Sequence, residues 1–184
     1  MSRIRLFSIL ALMTLLSACA HGPTKLRLDP EVVTAGSSLG AGQTIQLRVS
    51  GGADADGQPA TAKPFELERP AAVSVKEKLM KGLVSHQFQI GEAATDRQFV
   101  VVIQKAEHVI NRAVLRDTIM VETAIQFSAV TPAGTRTRVF NDKRSREVGG
   151  TATLGEVSGE LNQSLGHVLA RALNDAELMA FLGQ

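Results

Sequence analysis

The feature that most constrains the fold is a long alternating segment in the second half of the chain. From Ile119 to Ala129 apolar residues recur at odd positions between polar ones, which is the period of a strand with one buried face. Residues 131–134, Thr-Pro-Ala-Gly, then have proline and glycine where a tight turn requires them. A return strand extends from there to about Val148, so the sequence predicts a long antiparallel hairpin.

Amphipathic helices and shorter strands complete the predicted domain. Ser74 and Glu77 have the spacing of a capping box, which predicts a helix that starts there and ends near His86. Apolar residues spaced i, i+4, i+8 predict a second helix over 157–173, followed by a short capped helix. Further strands are predicted at 26–28, 45–49, 88–90 and 99–103. The expected fold class is α+β, a mainly antiparallel sheet of about five to six strands with two long helices packed on one face.

Composition favours one globular domain and excludes broad electrostatic attraction to nucleic acid. The 184 residues are 44% hydrophobic, with no Trp and no Tyr, so the core must be mostly aliphatic and stacking platforms for bases are scarce. The formal charge of +2 includes Arg3 and Arg5 near the start of the chain; without them 20 − 2 = 18 basic residues face 18 acidic ones. We therefore expect no nucleic-acid partner.

The start of the chain has the pattern of an export signal. Arg3 and Arg5 precede an apolar run from Leu6 to Leu16, which is eleven residues long. At 1.5 Å per residue a helix of this length is too short to cross roughly 30 Å of hydrocarbon. The run is typical of the apolar region of a signal peptide that is removed from the mature protein.

The residues after this run resemble the lipobox of bacterial lipoproteins. Leu16, Ser17 and Ala18 supply an aliphatic residue and two small ones directly before Cys19, the only cysteine of the chain. The resemblance implies that the Cys19 thiol receives a diacylglyceryl group, that the chain is cut before it, and that the new amino group is acylated. Ala20 stands where retention in the inner membrane typically calls for Asp, which implies the outer membrane.

Two alternatives to lipidation remain open. Residues 18–20 also fit the pattern of an ordinary signal peptidase, which would cut after Ala20 and release a soluble protein, and an uncleaved anchor is a third possibility. With lipidation, the chain divides into a signal peptide (1–18), a lipidated tether (19–24) and a single periplasmic α+β domain (25–184).

No pattern of catalytic or metal-binding residues is assembled in the sequence. The histidines are not closely spaced and no second cysteine could complete a thiolate site: His21, His86, His108 and His167. A calcium loop starting at Asp54 would need Gly and Glu where Pro59 and Phe65 stand. There is no G-x-S-x-G motif, and no spacing selects a pair of carboxylates. We expect no enzyme, no metal and no cofactor.

One surface stripe is a candidate for contact with an anionic partner. Four arginines share parity on the return strand, with Phe140 between them: Arg136, Arg138, Arg144 and Arg146. All four side chains should therefore project from one sheet face. They could bind lipid headgroups, lipopolysaccharide or an acidic protein patch. Alternatively, they form an exposed face whose charge is balanced by Glu122 and other acids across the ladder.

The order of these elements resembles that of the YajG family of bacterial lipoproteins. The resemblance rests on the lipobox, the L-R-L-D-P and T-I-Q-L-R-V-S strands, the capped helix, the V-V-I-Q strand, the hairpin and the terminal helix. The resemblance implies an envelope lipoprotein without an established catalytic or binding site. One hypothesis is a structural or interaction module that docks an envelope protein. The alternative is an accessory lipoprotein of an envelope lipid or ABC-type transport system, which would need an apolar groove between helices and sheet.

Overall fold

A computed structural model of the protein describes residues 25–51, 65–92 and 96–184. The predicted signal peptide (1–18), the tether (19–24) with Cys19, and the loop at 54–59 lie outside the described residues.

The described chain forms seven strands and three helices. The strands are β1 (Lys25–Leu26), β2 (Thr44–Gly51), β3 (Glu66–Leu67), β4 (Gln89–Ile90), β5 (Gln98–Arg112), β6 (Arg116–Thr131) and β7 (Gly134–Gly149). The helices are α1 (Ala71–Ser85), α2 (Leu154–Leu173) and α3 (Ala176–Leu182).

Five of the strands form one sheet in the order β4-β2-β5-β6-β7, and β1 and β3 form a separate parallel pair. β2 is parallel to both β4 and β5, whereas β5, β6 and β7 are antiparallel neighbours. A parallel neighbour needs a crossover, and α1 supplies it between β2 and β4. The α+β prediction is confirmed: the sheet is mixed, and its longest pairings are antiparallel.

The predicted hairpin is the longest pairing in the sheet. β6 and β7 pair from Arg116 opposite Gly149 to Thr131 opposite Gly134, with the turn at the predicted Thr-Pro-Ala-Gly. Gly134 has φ 133°, a conformation that favours glycine.

β5 is far longer than its predicted apolar core. Phe99 to Ile103 is buried at odd positions, but the register shifts between Ile103 and Lys105, and burial continues at the even positions Ala106 and His108. A β-bulge places an extra residue in one strand and so reverses which parity faces the core. Because the buried positions change from odd to even, the sequence does not alternate continuously, and the second half of β5 was not predicted.

The predicted start of the first helix is wrong. α1 begins at Ala71 after Pro70, and no side chain caps its first turn. Ser74 is fully buried inside the helix and donates a hydrogen bond to the carbonyl of Leu28 at 2.9 Å, while Glu77 pairs with Arg69. Both side chains are used in tertiary contacts, so a capping-box pattern alone misplaced the helix start.

The following helices begin with side-chain caps. In α2, Thr153 accepts a hydrogen bond from the backbone N–H of Glu156, whose carboxylate in turn accepts from the backbone of Thr153. Asp175 caps α3, within the predicted capping segment. Both arrangements satisfy backbone donors that a helix start leaves without partners.

Candidate functional site

The four arginines of the stripe lie on one face of β7, as predicted, but that face is the one that the helices cover. Their ladder partners on β6 are all core residues: Ala129, Phe127, Val121 and Ile119. Since β7 is the last strand of the sheet, the arginines stand at the border of the core, beside α2 and α3.

At both ends of the stripe, acids from the helices pair with the arginines. Arg136 and Arg138 reach the Glu177 carboxylate at 3.4 and 2.6 Å, and Glu177 lies on α3. Arg146 reaches Glu160 on α2 at 3.1 Å, and the Glu160 side chain is only 10% exposed. The stripe therefore joins β7 to two helices.

In the middle of the stripe a carboxylate from β7 itself joins the network. Asp142 contacts Arg144 Nε at 2.8 Å and His167 Nδ1 at 2.9 Å, and Arg144 also donates to Gln163 Oε1 at 2.8 Å. Burial raises the pKa of Asp142, but hydrogen bonds from His167 and Arg144 hold that pKa below its usual value. Asp142 is thus a charged group held between strand and helix.

Aromatic rings extend the same contacts. Phe140 meets Phe127 edge to face with ring centroids 5.8 Å apart, and the Arg171 guanidinium lies 5.3 Å from the centroid of Phe140. Arg136 lies 5.4 Å from the centroid of Phe181. Such cation–π contacts are worth on the order of 0.5–1 kcal/mol at exposed sites, so they add to the attachment of the helices.

Glu122 does not balance the positive charge of the stripe. This corrects the interpretation of the stripe as a face neutralised by Glu122 and other acids. Glu122 lies on the opposite sheet face, where Lys105 and Lys143 contact it at 3.2 and 3.1 Å. These two lysines lower the pKa of Glu122 through hydrogen bonds. The charge of the stripe is balanced, as that interpretation held, but by Glu160, Glu177 and Asp142.

The described histidines are spread over the fold and do not converge. His167 is in the stripe network, His108 is buried on β5, and His86 follows the end of α1. Burial lowers the pKa of His86, against a hydrogen bond to the backbone of Leu173. Within residues 25–51, 65–92 and 96–184, no three side chains of His, Cys, Asp or Glu come together as metal ligands.

A surface that the sequence reasoning missed is the turn between β5 and β6. Val114 is 100% exposed and Leu115 81% exposed, the highest values among the large apolar side chains of the described residues. Arg112 and Arg116 flank them. The sequence does contain this feature, as two adjacent apolar residues between arginines. Hydrophobic periodicity identifies the buried faces of helices and strands, however, and gives no information about exposed residues in a turn.

Comparison with known proteins identifies the family. A family described as uncharacterised lipoprotein matches residues 53–183, which is most of the chain. The chain belongs to this family of lipoproteins. Proteins of this class are held at a membrane of the cell envelope by their acyl chains. No curated protein sequence matches the chain significantly.

This lipoprotein is similar to several solved structures, and the first of those described here shows the fold. A Xanthomonas campestris protein of the DUF330 family has a TM-score of 0.63 at 12% identity, over 86% of this chain and 96% of its own. A minor lipoprotein from Acinetobacter baumannii has a TM-score of 0.38 at 13% identity, over 77% and 90%. Rare lipoprotein B from Shewanella oneidensis has a TM-score of 0.33 at 14% identity, over 70% and 87%.

Where α2 of this lipoprotein packs on the sheet, the side chains of the described residues fill the space between them. Phe99 and Phe127 from the sheet and Leu161, Leu165 and Leu169 from α2 are all 0% exposed. The apolar groove that a lipid-handling accessory protein would need is occupied by these side chains. In the described part of the chain, no helix is long and apolar enough to span a membrane.

Proposed function

We propose that the protein is an outer-membrane lipoprotein of the YajG type that faces the periplasm. Acyl chains, palmitate among them, attach at Cys19, and the domain acts as a structural or interaction module for an envelope protein. It performs no catalysis, needs no metal or cofactor and binds no nucleic acid.

The anchoring part of this proposal is supported by the family and by the lone cysteine. The matched family consists of lipoproteins, and Cys19 is the only thiol available for a thioether link. Leu16, Ser17 and Ala18 before it fit the lipobox. Two or more acyl chains hold a protein at a membrane stably, whereas one chain binds only marginally.

The interaction role is supported by how the charged and apolar side chains are used. The stripe arginines contact acids of their own chain, so they do not form an empty anion pocket. No described residue covers the sheet face opposite the helices, which we call the uncovered face, and on it Met120 and Val139 are 44% and 52% exposed. A sheet face with half-exposed apolar side chains suits a protein partner better than a small substrate.

The decisive experiment tests lipidation at Cys19. Cells that express the wild-type chain should incorporate labelled palmitate into it, and Cys19→Ala should abolish the label and leave precursor or soluble protein. The control is Ala20→Asp, which keeps the thiol and should keep the label but move the protein to the inner membrane. Unchanged membrane retention of Cys19→Ala would defeat the proposal.

A second experiment tests the interaction role. A photo-crosslinking residue at position 139, on the uncovered sheet face, should give one adduct of defined mass in intact cells. The same residue at position 84, which is Val84 at the far end of α1 and 59% exposed, is the matched control. Equal adduct patterns at both positions, or no adduct at 139, would refute docking by this face.

A further inference from the structure

The turn between β5 and β6 projects two apolar side chains that nothing in the described chain covers. Val114 and Leu115 are 100% and 81% exposed, and the backbone N–H of Ala113 donates to the carbonyl of Arg116 at 3.1 Å. The turn is closed by its own hydrogen bond, so the two side chains are presented on a fixed tip. Scattered exposed apolar residues are normal, but two adjacent ones on a tip suggest a binding contact.

This tip stands at the end of the molecule where α2 begins. The backbone N–H of Gly150 donates to the carbonyl of Leu115 at 3.1 Å, and buried Asp117 accepts from the backbone N–H of Ala152 at 2.9 Å. α2 starts two residues later, at Leu154. The tip and the first turn of α2 are therefore neighbours.

The described chain also starts at this end. Near the start of α2, Ser158 donates to the carbonyl of Arg27 at 2.9 Å. One turn further along, Asn162 accepts from the backbone N–H of Asp29 at 2.8 Å. Near the end of α2, Asn174 accepts from Ala35 at 2.9 Å. Residues 27–35 thus follow α2 from its beginning to its end, and residue 25 lies on the side of the tip.

The distance from the acylated residue to this end is short. Six positions separate Cys19 from Lys25, and a chain of that length spans at most about 20 Å. If acyl chains on Cys19 are in the bilayer, the end of the domain that carries Lys25 is held close to the lipid surface. The tip is held there with it.

From this placement we infer that Val114 and Leu115 insert into the lipid surface as a second membrane contact. The inference rests on the proposed lipidation of Cys19. The apolar side chains enter the acyl boundary, while Arg112 keeps its charged group at the level of the phosphates and lays its aliphatic stem beside the tip. The guanidinium of Arg116 pairs with Glu147 at 2.7 Å, so we assign the phosphate contact to Arg112. The domain then has a defined orientation, with the end of α2 and Val84 pointing away from the bilayer.

The single cysteine of the chain makes a direct test possible. Cys19 has no free thiol once it is acylated, so Val114→Cys creates one labelling site, and Val84→Cys is the matched control at the opposite end. Each full-length lipoprotein is purified from membranes, labelled with a polarity-sensitive fluorophore and reconstituted into vesicles of phosphatidylethanolamine and phosphatidylglycerol. Some vesicles contain brominated lipid, which quenches only fluorophores within the bilayer.

We expect brominated lipid to quench the label at position 114 several-fold more strongly than the label at position 84. Replacing phosphatidylglycerol by phosphatidylcholine should weaken tip insertion by about five-fold, the ordinary effect of one basic residue near an anionic surface. Arg112→Gln should reduce the insertion in anionic vesicles alone.

Equal quenching at 114 and 84, or none at 114, would overturn the inference. A label at position 114 that is shielded in cells but not quenched in vesicles would indicate that the tip binds a protein partner. That result would also overturn the inference of membrane insertion. Mass spectrometry of each preparation keeps the two proposals apart. Missing acyl chains would refute lipidation, whereas an acylated protein whose label at position 114 is not quenched would refute membrane insertion alone.

Discussion

The two faces of the sheet carry similar polar and charged side chains, but these side chains have different partners on each face. On the helix-covered face, ion pairs, a hydroxyl pair and a carboxylate network connect strands to α2 and α3. On the uncovered face the same chemistry connects neighbouring strands, as in the hydrogen bond between the Ser128 and Thr137 hydroxyls at 2.9 Å and the contacts of Glu122 with Lys105 and Lys143.

This difference makes the molecule an internal control for the effect of burial. The geometry of the matched contacts is nearly equal on the two faces, but water can replace a lost partner only on the uncovered one. Removing a partner should therefore cost stability on the covered face and little on the other. Four pairs of substitutions test this expectation.

The largest contrast is expected for apolar truncation. Leu165→Ala removes a side chain that is 0% exposed between α2 and the sheet, and it should lower the free energy of unfolding by about 2–5 kcal/mol. Val139→Ala on the uncovered face, where the side chain is 52% exposed, should change it by no more than about 0.5 kcal/mol. Urea denaturation measures both. Similar losses for the two variants would mean that something covers the outer face.

Much of this arrangement can be predicted from the sequence. A strand that buries every second residue along its whole length has an alternating hydrophobic pattern, and that pattern identifies its buried face. β6 alternates without interruption, and its partner strand, the turn and α2 were predicted close to their observed positions. β5 was predicted only in part, because the bulge after Ile103 exchanges its faces. The start of α1 was misplaced because Ser74 and Glu77 make tertiary contacts, which no local spacing reveals.

The next contrast concerns two hydroxyl pairs. The Ser164 hydroxyl of α2 donates to Thr123 on β6 at 2.9 Å, and both residues are 0% exposed. Thr123→Val removes the acceptor within the core and should cost about 1–3 kcal/mol. Thr137→Val, which breaks the pair with Ser128 on the uncovered face, should be neutral within about 0.5 kcal/mol. A loss for Thr137→Val as large as that for Thr123→Val would contradict the role of burial.

The stripe was only partly accessible to sequence reasoning. Shared parity correctly placed the four arginines on one face, since alternation is a property of the strand itself. The pattern could not tell which face the helices cover, because Glu160, Glu177 and His167 are distant in the chain and meet β7 only after α2 and α3 have packed. Glu122 was assigned to the wrong side of the sheet for a different reason: the hairpin register pairs even positions of β7 with odd positions of β6, and Glu122 is at an even position.

A smaller contrast is expected for two neighbouring basic residues that point to opposite faces. Arg144→Met leaves Asp142, whose side chain is 13% exposed, without its guanidinium partner, and this should cost about 1 kcal/mol. Lys143→Met removes a side chain that is 72% exposed from Glu122, where Lys105 and water remain, and thermal unfolding should show no clear change. Arg144→Lys restores the charge but not the paired geometry, and it should recover only part of the loss. Full stability of Arg144→Met would show that Arg144 contributes nothing to the attachment of α2.

The smallest effect is expected in the pH dependence of stability. Because the pKa of Asp142 is lower in the folded protein than in the unfolded chain, its contribution is complete above the unfolded value of about 3.9 and is lost as the pH falls through the folded value. Asp142→Asn should therefore lower stability at neutral pH and flatten its decline in acid, measured by urea denaturation between neutral pH and about pH 3. Glu122→Gln is the matched change on the uncovered face; the pKa of Glu122 is lowered too, but by lysines that water screens. If Glu122→Gln flattened the acid decline as much as Asp142→Asn, the lysine contacts on the outer face would be as strong as those beneath α2, and burial would not be what distinguishes the two faces.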